Sequence, residues 1–519
     1  MQINPVVVCP CCALRGPMFL PILSGASPST PVPPGTPPPS FVDKTPKEAT
    51  SHAFAGDGNT NDLFEDVPAD RWVVIRGATV LTMDDAGVLP AHDVLISDGR
   101  VREVRPTGAP LPTGAVVIEG SGRHLIPGLT DSHTHPNVYH LSATMAPMLG
   151  AGVTAEDILL PYDLQMLLFL AGGITRSEIL AGTAEELALR EEIRRGRVRG
   201  PDFRIGSPVI EGYPPMQSGS HAWNIADADG GVRAAREVAE RGFDFAKPYS
   251  RLAVDAYAAL ARECRALGIE MLGHIPHAVG AESAFAQGQS GVAHVFEFFY
   301  ALPEPQRRDT DLYARFARLA ASQGIKVQTT LVAAWMLEYD GGFVDDVRAR
   351  QWFDPLYNYI MRPESPMMQW FRTDPTVRAL CVDTGSLSVD MLKALHAEGV
   401  RLLPGTDGGN GNLTQGYSIH EELRLLVEQV GMTPLEVLRA ATRDCAEHMG
   451  HGSRTGRIAP GYSSDLVLLS ADPLADIRNT TRIDTVVKGR SILRSEGRLR
   501  GIERVRARYA AMPIPVVAE

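Results

Sequence analysis

Cysteine is scarce in this chain and scattered along it. Six cysteines occur in 519 residues, and Cys264, Cys381 and Cys445 each stand alone in a segment with a structured pattern. Three more cluster within residues 9–12, without a second cysteine or histidine pair at the spacing of a zinc site. This usage excludes a disulfide framework and argues against a structural zinc near the N-terminus.

Long apolar runs and an excess of positive charge are also absent. No run approaches the roughly 20 residues of a membrane helix, so we expect no membrane span. The first 27 residues have no basic residue before Arg15, a poor signal-peptide pattern that favours a cytoplasmic location. The formal net charge of -11 argues against nucleic acid as a partner. A small-molecule substrate and a homo-oligomeric assembly are the partners that we expect.

What the chain does contain is the composition of a large globular protein. Hydrophobic residues make up 44% and charged residues 21% of the sequence. Its length accommodates an enlarged barrel of about 250 residues together with a small companion domain. Residues 1–70 include the run PVPPGTPPPS, and this proline-rich composition predicts a disordered leader.

Short strand patterns occur near both ends of the chain. WVVIRGATVLTM, HDVLISDGRVREV and AVVIEG lie within residues 71–123, and SDLVLLS and DTVVKGRSILR lie within residues 455–497. Neither group can bury its apolar faces alone. We therefore predict one small β-sandwich built from both regions, followed by a C-terminal tail at 498–519.

Between these regions, residues 124–454 alternate strand-like and helical patterns. The strand-like runs are HLIPGLTDSHTHP, GGITRSEI, FRIGSPVI, FDFAKPY, IEMLGHI, GVAHVFEFF, IKVQTTLV and VRLLPGTD. Helical runs such as VDAYAALARECRAL separate them. Eight alternating units predict an α/β fold of the closed (β/α)8 TIM-barrel type, with its active site at the carboxyl ends of the strands.

Residues of the kinds that bind metals lie at the ends of five predicted barrel strands. They are His133 and His135 in the first strand, Lys247 in the fourth, His274 in the fifth, His294 in the sixth and Asp407 in the eighth. Each of these residues can also have a purely structural role. A lone histidine can be a core residue, and Asp407 before two glycines can cap a turn. Lys247 is more informative, since a buried ammonium beside Phe243 and Phe245 is costly.

These segments together resemble the amidohydrolase superfamily, in its imidazolonepropionase-like branch that includes Xaa-Pro dipeptidases. The resemblance rests on HLIPGLTDSHTH, DFAKPYS, GHIPHA, GQSGVAH, PGTDGG and YSIHEELRLLVEQVGMTPLEVLRAAT, and it covers roughly residues 72–495. It implies two divalent metal ions, expected to be zinc. His133 and His135 would bind one metal, His274 and His294 the other. Lys247, carboxylated by carbon dioxide, would bridge both, and Asp407 would complete the coordination of the first metal and act as general acid and base.

The sequence departs from the family pattern at several positions. Glu178 stands in the second strand where relatives usually have arginine, so a substrate contact cannot be transferred to that position. Val292 and Ala293 replace the first two residues of an Ile-Glu-His triplet, while His294 is retained. Residues 333–380 are divergent, and we expect a lid or helical insertion there.

The expected reaction is hydrolysis of an amide C–N bond. A metal lowers the pKa of a bound water towards about 7, so that a metal-bound hydroxide can attack a carbonyl at neutral pH. The branch implies an Xaa-Pro-like dipeptide or an N-acyl amino acid as substrate. Two alternatives are a hydrolase of esters, cyclic amides or carbamates, and a non-catalytic barrel that binds a small molecule.

Four residues are candidates for substrate binding. Tyr249 and Arg251 follow Lys247 directly and could reach a substrate carboxylate, to which an arginine pairs well. Alternatively, Arg251 caps the next helix or faces solvent. Tyr213 and His221, together with Trp223, lie in the loop EGYPPMQSGSHAW and could close over the acyl side.

Overall fold

The computed structural model describes residues 41–43, 60–136, 154–215, 221–300, 302–338, 373, 383–409 and 413–513. Two sheets organise this part of the chain, one of ten strands and one of nine. None of its helices combines the length and the apolarity that crossing a membrane requires. Most of the divergent segment 333–380 and most of the leader lie outside the described residues.

Eight strands of the larger sheet form a parallel barrel in chain order. They are Leu129–Thr134, Ile174–Ile179, Asp202–Glu211, Phe245–Pro248, Glu270–Gly273, Gly291–Ala293, Lys326–Gln328 and Arg401–Leu403. Each strand pairs in parallel with the next. A parallel bridge between Thr134 and Gly408 joins the last segment to the first. The predicted TIM barrel and its eight strands are confirmed.

Helices follow the barrel strands and cover the outside of the barrel. The α-helices are Ala155–Ile158, Tyr162–Ala171, Ala184–Arg194, Ala228–Arg241, Val254–Leu267, Ala281–Ala286, Glu297–Tyr300, Thr310–Ser322, Leu331–Glu338, Thr384–Ala397, Ser418–Leu425, Pro434–Arg439, Cys445–His448 and Ser495–Ala510. Shorter 3-10 turns are Asn61–Leu63, Glu304–Arg308 and Ile477–Thr481, and π turns are Leu426–Val430 and Ala440–Asp444. Local sequence sets several ends: Thr183 and Glu186 form a capping box, and Gly268 ends its helix in the left-handed conformation.

The nine-stranded mixed sheet is the predicted β-sandwich domain. Its strands are Glu65–Asp66, Val73–Leu81, Val88–Ser97, Arg100–Pro106, Val116–Glu119, His124–Pro127, Leu466–Leu469, Ile483–Lys488 and Ser491–Arg494. Leu466–Leu469 pairs with His124–Pro127, so the two chain regions share one sheet. A separate apolar core that includes Ile75, Val94 and Leu468 lies against it.

The first boundary of the barrel differs from the predicted one. His124–Pro127 belongs to the small sheet, and the barrel begins at Leu129. The apolar run that suggested one continuous strand is divided at Gly128, whose amide donates to the Asp465 carbonyl oxygen at 2.8 Å. The two strands bury their apolar residues in different cores, which a single hydrophobic pattern cannot distinguish.

Both predicted tails contain regular structure. Within the leader, Glu65–Asp66 pairs with the last small-sheet strand, and Phe41–Asp43 pairs antiparallel with the additional strand Ala222–Ile225. The C-terminal tail forms most of the helix Ser495–Ala510, in which Arg504 forms an ion pair with Asp62. These segments are ordered by tertiary contacts that their polar and proline-rich composition does not reveal.

A charged network occupies the inside of the barrel, and its members Glu270 and Lys326 are the first residues of their strands. Arg204 forms ion pairs with both Glu178 and Glu270, and Lys326 lies 3.0 Å from Glu270. His448 Nε2 lies 3.2 Å from a carboxylate oxygen of Glu178. Glu178 therefore has a full set of partners inside the barrel, which explains why the second strand has a carboxylate there.

Candidate metal centre

The first and eighth strands bring together three side chains that could hold a metal ion. His133, His135 and Asp407 are buried, and their ligand atoms all lie within 4.8 Å of one another. Asp407 Oδ1 is 3.5 Å from His133 Nε2 and 3.0 Å from His135 Nε2. Two imidazoles and a carboxylate are suitable ligands for a divalent transition metal.

Backbone contacts across the closing edge of the barrel set this geometry. The Asp407 amide donates to the His133 carbonyl oxygen at 2.8 Å, and the His135 amide donates to the Gly408 carbonyl oxygen at 2.7 Å. Asp407 itself has a φ of 59°. A side chain at Gly409 would place its Cβ 1.8 Å from the His135 carbonyl oxygen, so glycine is required there.

Asp131 supports the same closing edge of the barrel, two residues before His133. Its carboxylate accepts hydrogen bonds from the amides of His133 and Thr406 and from the Thr406 hydroxyl. Burial raises the pKa of Asp131 to about 7, although these hydrogen bonds lower it. Asp131 therefore positions the backbone of both strand ends.

His294 faces the same cluster from the sixth strand. Its ring centroid is 4.3 Å from that of His133 and 5.2 Å from that of His274. Nδ1 lies 2.9 Å from the Thr330 hydroxyl, which orients the ring. Among the residues that the structure describes, the buried Nε2 atom has no hydrogen-bond partner. This donor set and the open Nε2 fit a metal.

His274 is oriented through its Nδ1 atom. The Ser250 hydroxyl lies 2.8 Å and a Glu297 carboxylate oxygen 3.0 Å from Nδ1. Glu297 also accepts from the Ile275 amide, and the Tyr249 ring stacks on the imidazole at 4.0 Å. A carboxylate on the far nitrogen of a histidine is the usual arrangement behind a metal ligand, because it holds the other nitrogen towards the metal.

Lys247 lies in the fourth strand with its side chain 1% exposed. Its amide donates to the Ser207 hydroxyl at 3.1 Å, and its Nζ is 6.0 Å from the centroid of the Tyr249 ring. That ring is the one that stacks on His274. The fourth strand therefore places a buried amine beside the histidine cluster.

The candidate substrate residues have different surroundings. Tyr249 is buried against His274, whereas the Arg251 guanidinium donates to the Pro214 carbonyl oxygen at 2.5 Å. Tyr213 is half-buried and His221 is buried, and residues 216–220 between them lie outside the described chain. Arg251 therefore joins the loops after the third and fourth strands and does not face solvent as a free side chain.

Trp223 corrects one expectation for this loop. Its ring is 6.1 Å from that of Phe41 and 6.0 Å from that of Phe243, and the side chain is fully buried. Because Trp223 packs in the shell outside the strand layer, it cannot close over a substrate.

The residues that orient the candidate ligands were not predicted from the sequence. Glu297, Thr330 and Ser250 lie in loops or helix starts, and nothing in the local sequence marks Thr330 or Ser250. The run HVFEFF offers the single signal, since it places a glutamate three residues after His294 within an otherwise apolar segment.

A TIM barrel with a buried histidine and carboxylate cluster at its carboxyl end defines the class of this protein. Residues 372–492 match the amidohydrolase family. This match covers part of the chain and agrees with the resemblance that its motifs carry.

Several known proteins are similar to this chain in sequence or in fold. An imidazolonepropionase of Anaeromyxobacter dehalogenans is 31% identical over 192 residues, which cover 30% of this chain and 46% of that protein. The chain spans less than half the length of the curated relatives it matches. The structure of a Xaa-Pro dipeptidase with bound methionine superposes with a TM-score of 0.62 at 17% identity, covering 82% of this chain and all of that one. Bottromycin amidohydrolase gives 0.64 at 24% identity, covering 87% and 94%.

Proposed function

We propose that this protein is a metal-dependent hydrolase that cleaves an amide C–N bond. The observation that carries the proposal is the convergence of His133, His135, His294 and Asp407 on one buried point at the carboxyl end of the barrel. The hydrogen bonds that orient His274 and His294 support it, because such partners accompany metal-binding histidines.

Two divalent ions, zinc by the chemistry of the ligands, would be held by residues from five strands. They are His133, His135, Asp407, His274, His294 and Lys247. The ions would supply positive charge that favours ionisation of water and stabilises a developing oxyanion.

Lys247 would take part as a carbamate. The lone pair of its neutral amine forms an N–C bond with carbon dioxide, and the nitrogen releases one proton. The product is an anion, which removes the cost of a buried ammonium among cations. The near-complete burial of Lys247 supports this change of charge.

Asp407 would carry the proton during hydrolysis. Its carboxylate accepts a proton from the attacking water as the water oxygen bonds to the carbonyl carbon. It then donates that proton to the leaving nitrogen as the C–N bond breaks. Its location between the two histidines of the first strand supports this role.

The proposed substrate is an Xaa-Pro-like dipeptide or an N-acyl amino acid. Likeness in fold to a Xaa-Pro dipeptidase and to bottromycin amidohydrolase supports a substrate with an amide bond to an amino acid. Tyr249 and the loop that Arg251 holds lie at the carboxyl end of the fourth strand, where a substrate carboxylate could be received.

A hydrolysis screen tests the proposal. Purified full-length protein, loaded with zinc, is assayed against dipeptides, N-acyl amino acids, esters and cyclic amides, and its metal content is measured. We expect close to two metals per chain, cleavage of an amide, and loss of turnover after chelation that zinc reverses. Undiminished activity in metal-free protein would refute metal dependence, and cleavage restricted to esters or cyclic amides would refute the substrate class.

A further inference from the structure

Glu211 ends the third barrel strand, one strand away from Lys247. Val209 is in register with Lys247, and alternate residues of a strand face the same side. Glu211, two positions further, therefore faces the barrel axis like Lys247. Its side chain is fully buried. This places a further carboxylate at the carboxyl end of the barrel, in addition to those of Asp407, Asp131 and Glu297.

The two carboxylate oxygens of Glu211 have different surroundings in the described part of the chain. Oε1 accepts hydrogen bonds from the amides of Gly212 and Arg251, each at 2.9 Å. Within the described part of the chain, the buried Oε2 atom has no hydrogen-bond partner. A buried polar atom without a partner is costly, so a partner from outside the protein is the economical explanation.

The surroundings of Glu211 favour a positive partner. Burial raises its pKa to about 7, although its two backbone hydrogen bonds and the charges of Arg251 and His274 lower it. The nearest guanidinium, that of Arg251, donates to the Pro214 carbonyl oxygen. A bound ammonium would stabilise the ionised carboxylate through a charge-assisted hydrogen bond.

We infer that Glu211 binds the α-ammonium of a substrate whose acyl part is an amino acid, through its free Oε2 atom. This inference rests on the proposed function and narrows it to aminoacyl substrates, that is, dipeptides with a free N-terminus. An α-ammonium lies one carbon from the scissile carbonyl, so a group that binds it must lie beside the metal centre. Glu211 satisfies this condition because it shares the barrel face of Lys247 and lies on the neighbouring strand.

The alternative is that Glu211 only joins two loops. Its Oε1 contacts connect the start of the loop after the third strand to that after the fourth, and a Cβ on Gly212 would lie 1.8 Å from the Arg251 carbonyl oxygen. Glu211→Gln separates the two roles. It retains an acceptor for both amides but replaces the negative oxygen with an amide group.

The experiment compares an Xaa-Pro dipeptide with its N-acetylated form, using the zinc-loaded full-length protein. In Glu211→Gln we expect kcat/KM for the free dipeptide to fall about 10- to 100-fold, as for loss of a hydrogen bond to a charged group. For the N-acetylated form we expect kcat/KM in Glu211→Gln to change by less than about threefold. Metal content and the unfolding midpoint should match the wild type within error.

Glu186→Gln is the matched control. Glu186 is also buried, and its carboxylate accepts from the amide and hydroxyl of Thr183 in a helix cap. This variant should change the unfolding midpoint without changing the ratio of the two kcat/KM values. Equal losses for both peptides in Glu211→Gln, or no loss for either, would overturn the inference while the proposed function stands.

If the wild type cleaves neither peptide, the proposed dipeptide substrate is refuted, and peptide binding is measured instead of cleavage. Isothermal titration calorimetry of both peptides with wild type and Glu211→Gln then decides the role of Glu211 separately. Weaker binding of the free dipeptide alone supports the inference, and equal affinities overturn it.

Discussion

Asp407 adopts a backbone conformation that is uncommon for residues other than glycine. Its φ is 59°, and the hydrogen bond that its amide donates to the His133 carbonyl oxygen holds its side chain between two histidines. Asn tolerates the same conformation, so Asp407→Asn changes the charge and leaves the backbone undisturbed. The variant therefore isolates the proton-transfer role.

We expect Asp407→Asn to retain metal and to lose about 10²- to 10⁴-fold in kcat, the usual effect of removing a general base. Steady-state kinetics and elemental analysis of the same preparation measure both quantities. A kcat close to that of the wild type would assign proton transfer to another group. Loss of metal together with activity would make Asp407 chiefly a ligand.

Lys247→Ala tests the carbamate. We expect most activity to disappear and a short-chain carboxylic acid such as propionate to restore part of it by supplying an anion in the vacated space. Lys326→Ala is the control, since Lys326 forms an ion pair with Glu270 at the other end of the barrel. The carboxylic acid should not affect that variant.

A high-resolution electron-density map of the zinc-loaded protein provides the direct measurement for Lys247. Density for three additional atoms on Nζ is the expected result. An unmodified ammonium beside a full pair of metals would contradict the carbamate.

At the scale of elements, Gly128 is where the chain passes from the small sheet to the barrel. A Cβ there would lie 2.1 Å from the Thr175 hydroxyl oxygen, and Thr175 is buried at the start of the second barrel strand. The φ of Gly128 is not in the left-handed region. Glycine is therefore needed for space, because two strands and a crossing segment meet at this point.

We expect Gly128→Ala to lower the free energy of unfolding by about 1 to 3 kcal/mol, as overpacking of a core does. Urea unfolding of Gly128→Ala, Thr175→Ala and the double variant measures it. Because Thr175→Ala removes the atoms nearest the added methyl, the double variant should be more stable than the sum of the single changes predicts. Strict additivity would show that the contact does not cause the loss.

At the scale of the whole molecule, His420 connects the barrel to the small domain. It lies in the helix Ser418–Leu425, and its Nδ1 atom is 3.0 Å from the Thr480 hydroxyl in the turn Ile477–Thr481. Burial lowers the pKa of His420 from 6.5 to about 4. The contact between domains therefore depends on a neutral imidazole.

This shift predicts a loss of stability in mild acid. Below pH 6.5 the unfolded chain binds a proton that the folded chain binds only near pH 4, so this contribution to stability is full above pH 6.5, declines as pH falls from 6.5 to about 4, and is lost at lower pH. The shift corresponds to about 3 kcal/mol. Denaturant unfolding of chelator-treated wild type and His420→Gln at pH 7.5 and 4.5 measures it. The wild type should lose more stability than the variant, and parallel curves would exclude His420 as the cause.

The periodicity of the sequence predicted the barrel, and its motifs predicted the candidate ligands. Alternating periodicity marks each strand, because backbone geometry repeats every two residues in strands and every 3.6 in helices. Barrel topology then places candidate ligands at strand ends, so the grouping of His133, His135 and Asp407 could be predicted without coordinates.

Only the tertiary structure decided which polar residues support that site and where the domains meet. Glu297, Thr330 and Glu211 act on residues brought near by closure of the barrel, and Gly128 separates two cores that share one apolar run. Such contacts depend on distances between segments remote in the chain, for which local patterns have no signal. The strand at Phe41–Asp43 is ordered by pairing with Ala222–Ile225, so its structure likewise comes from its partner.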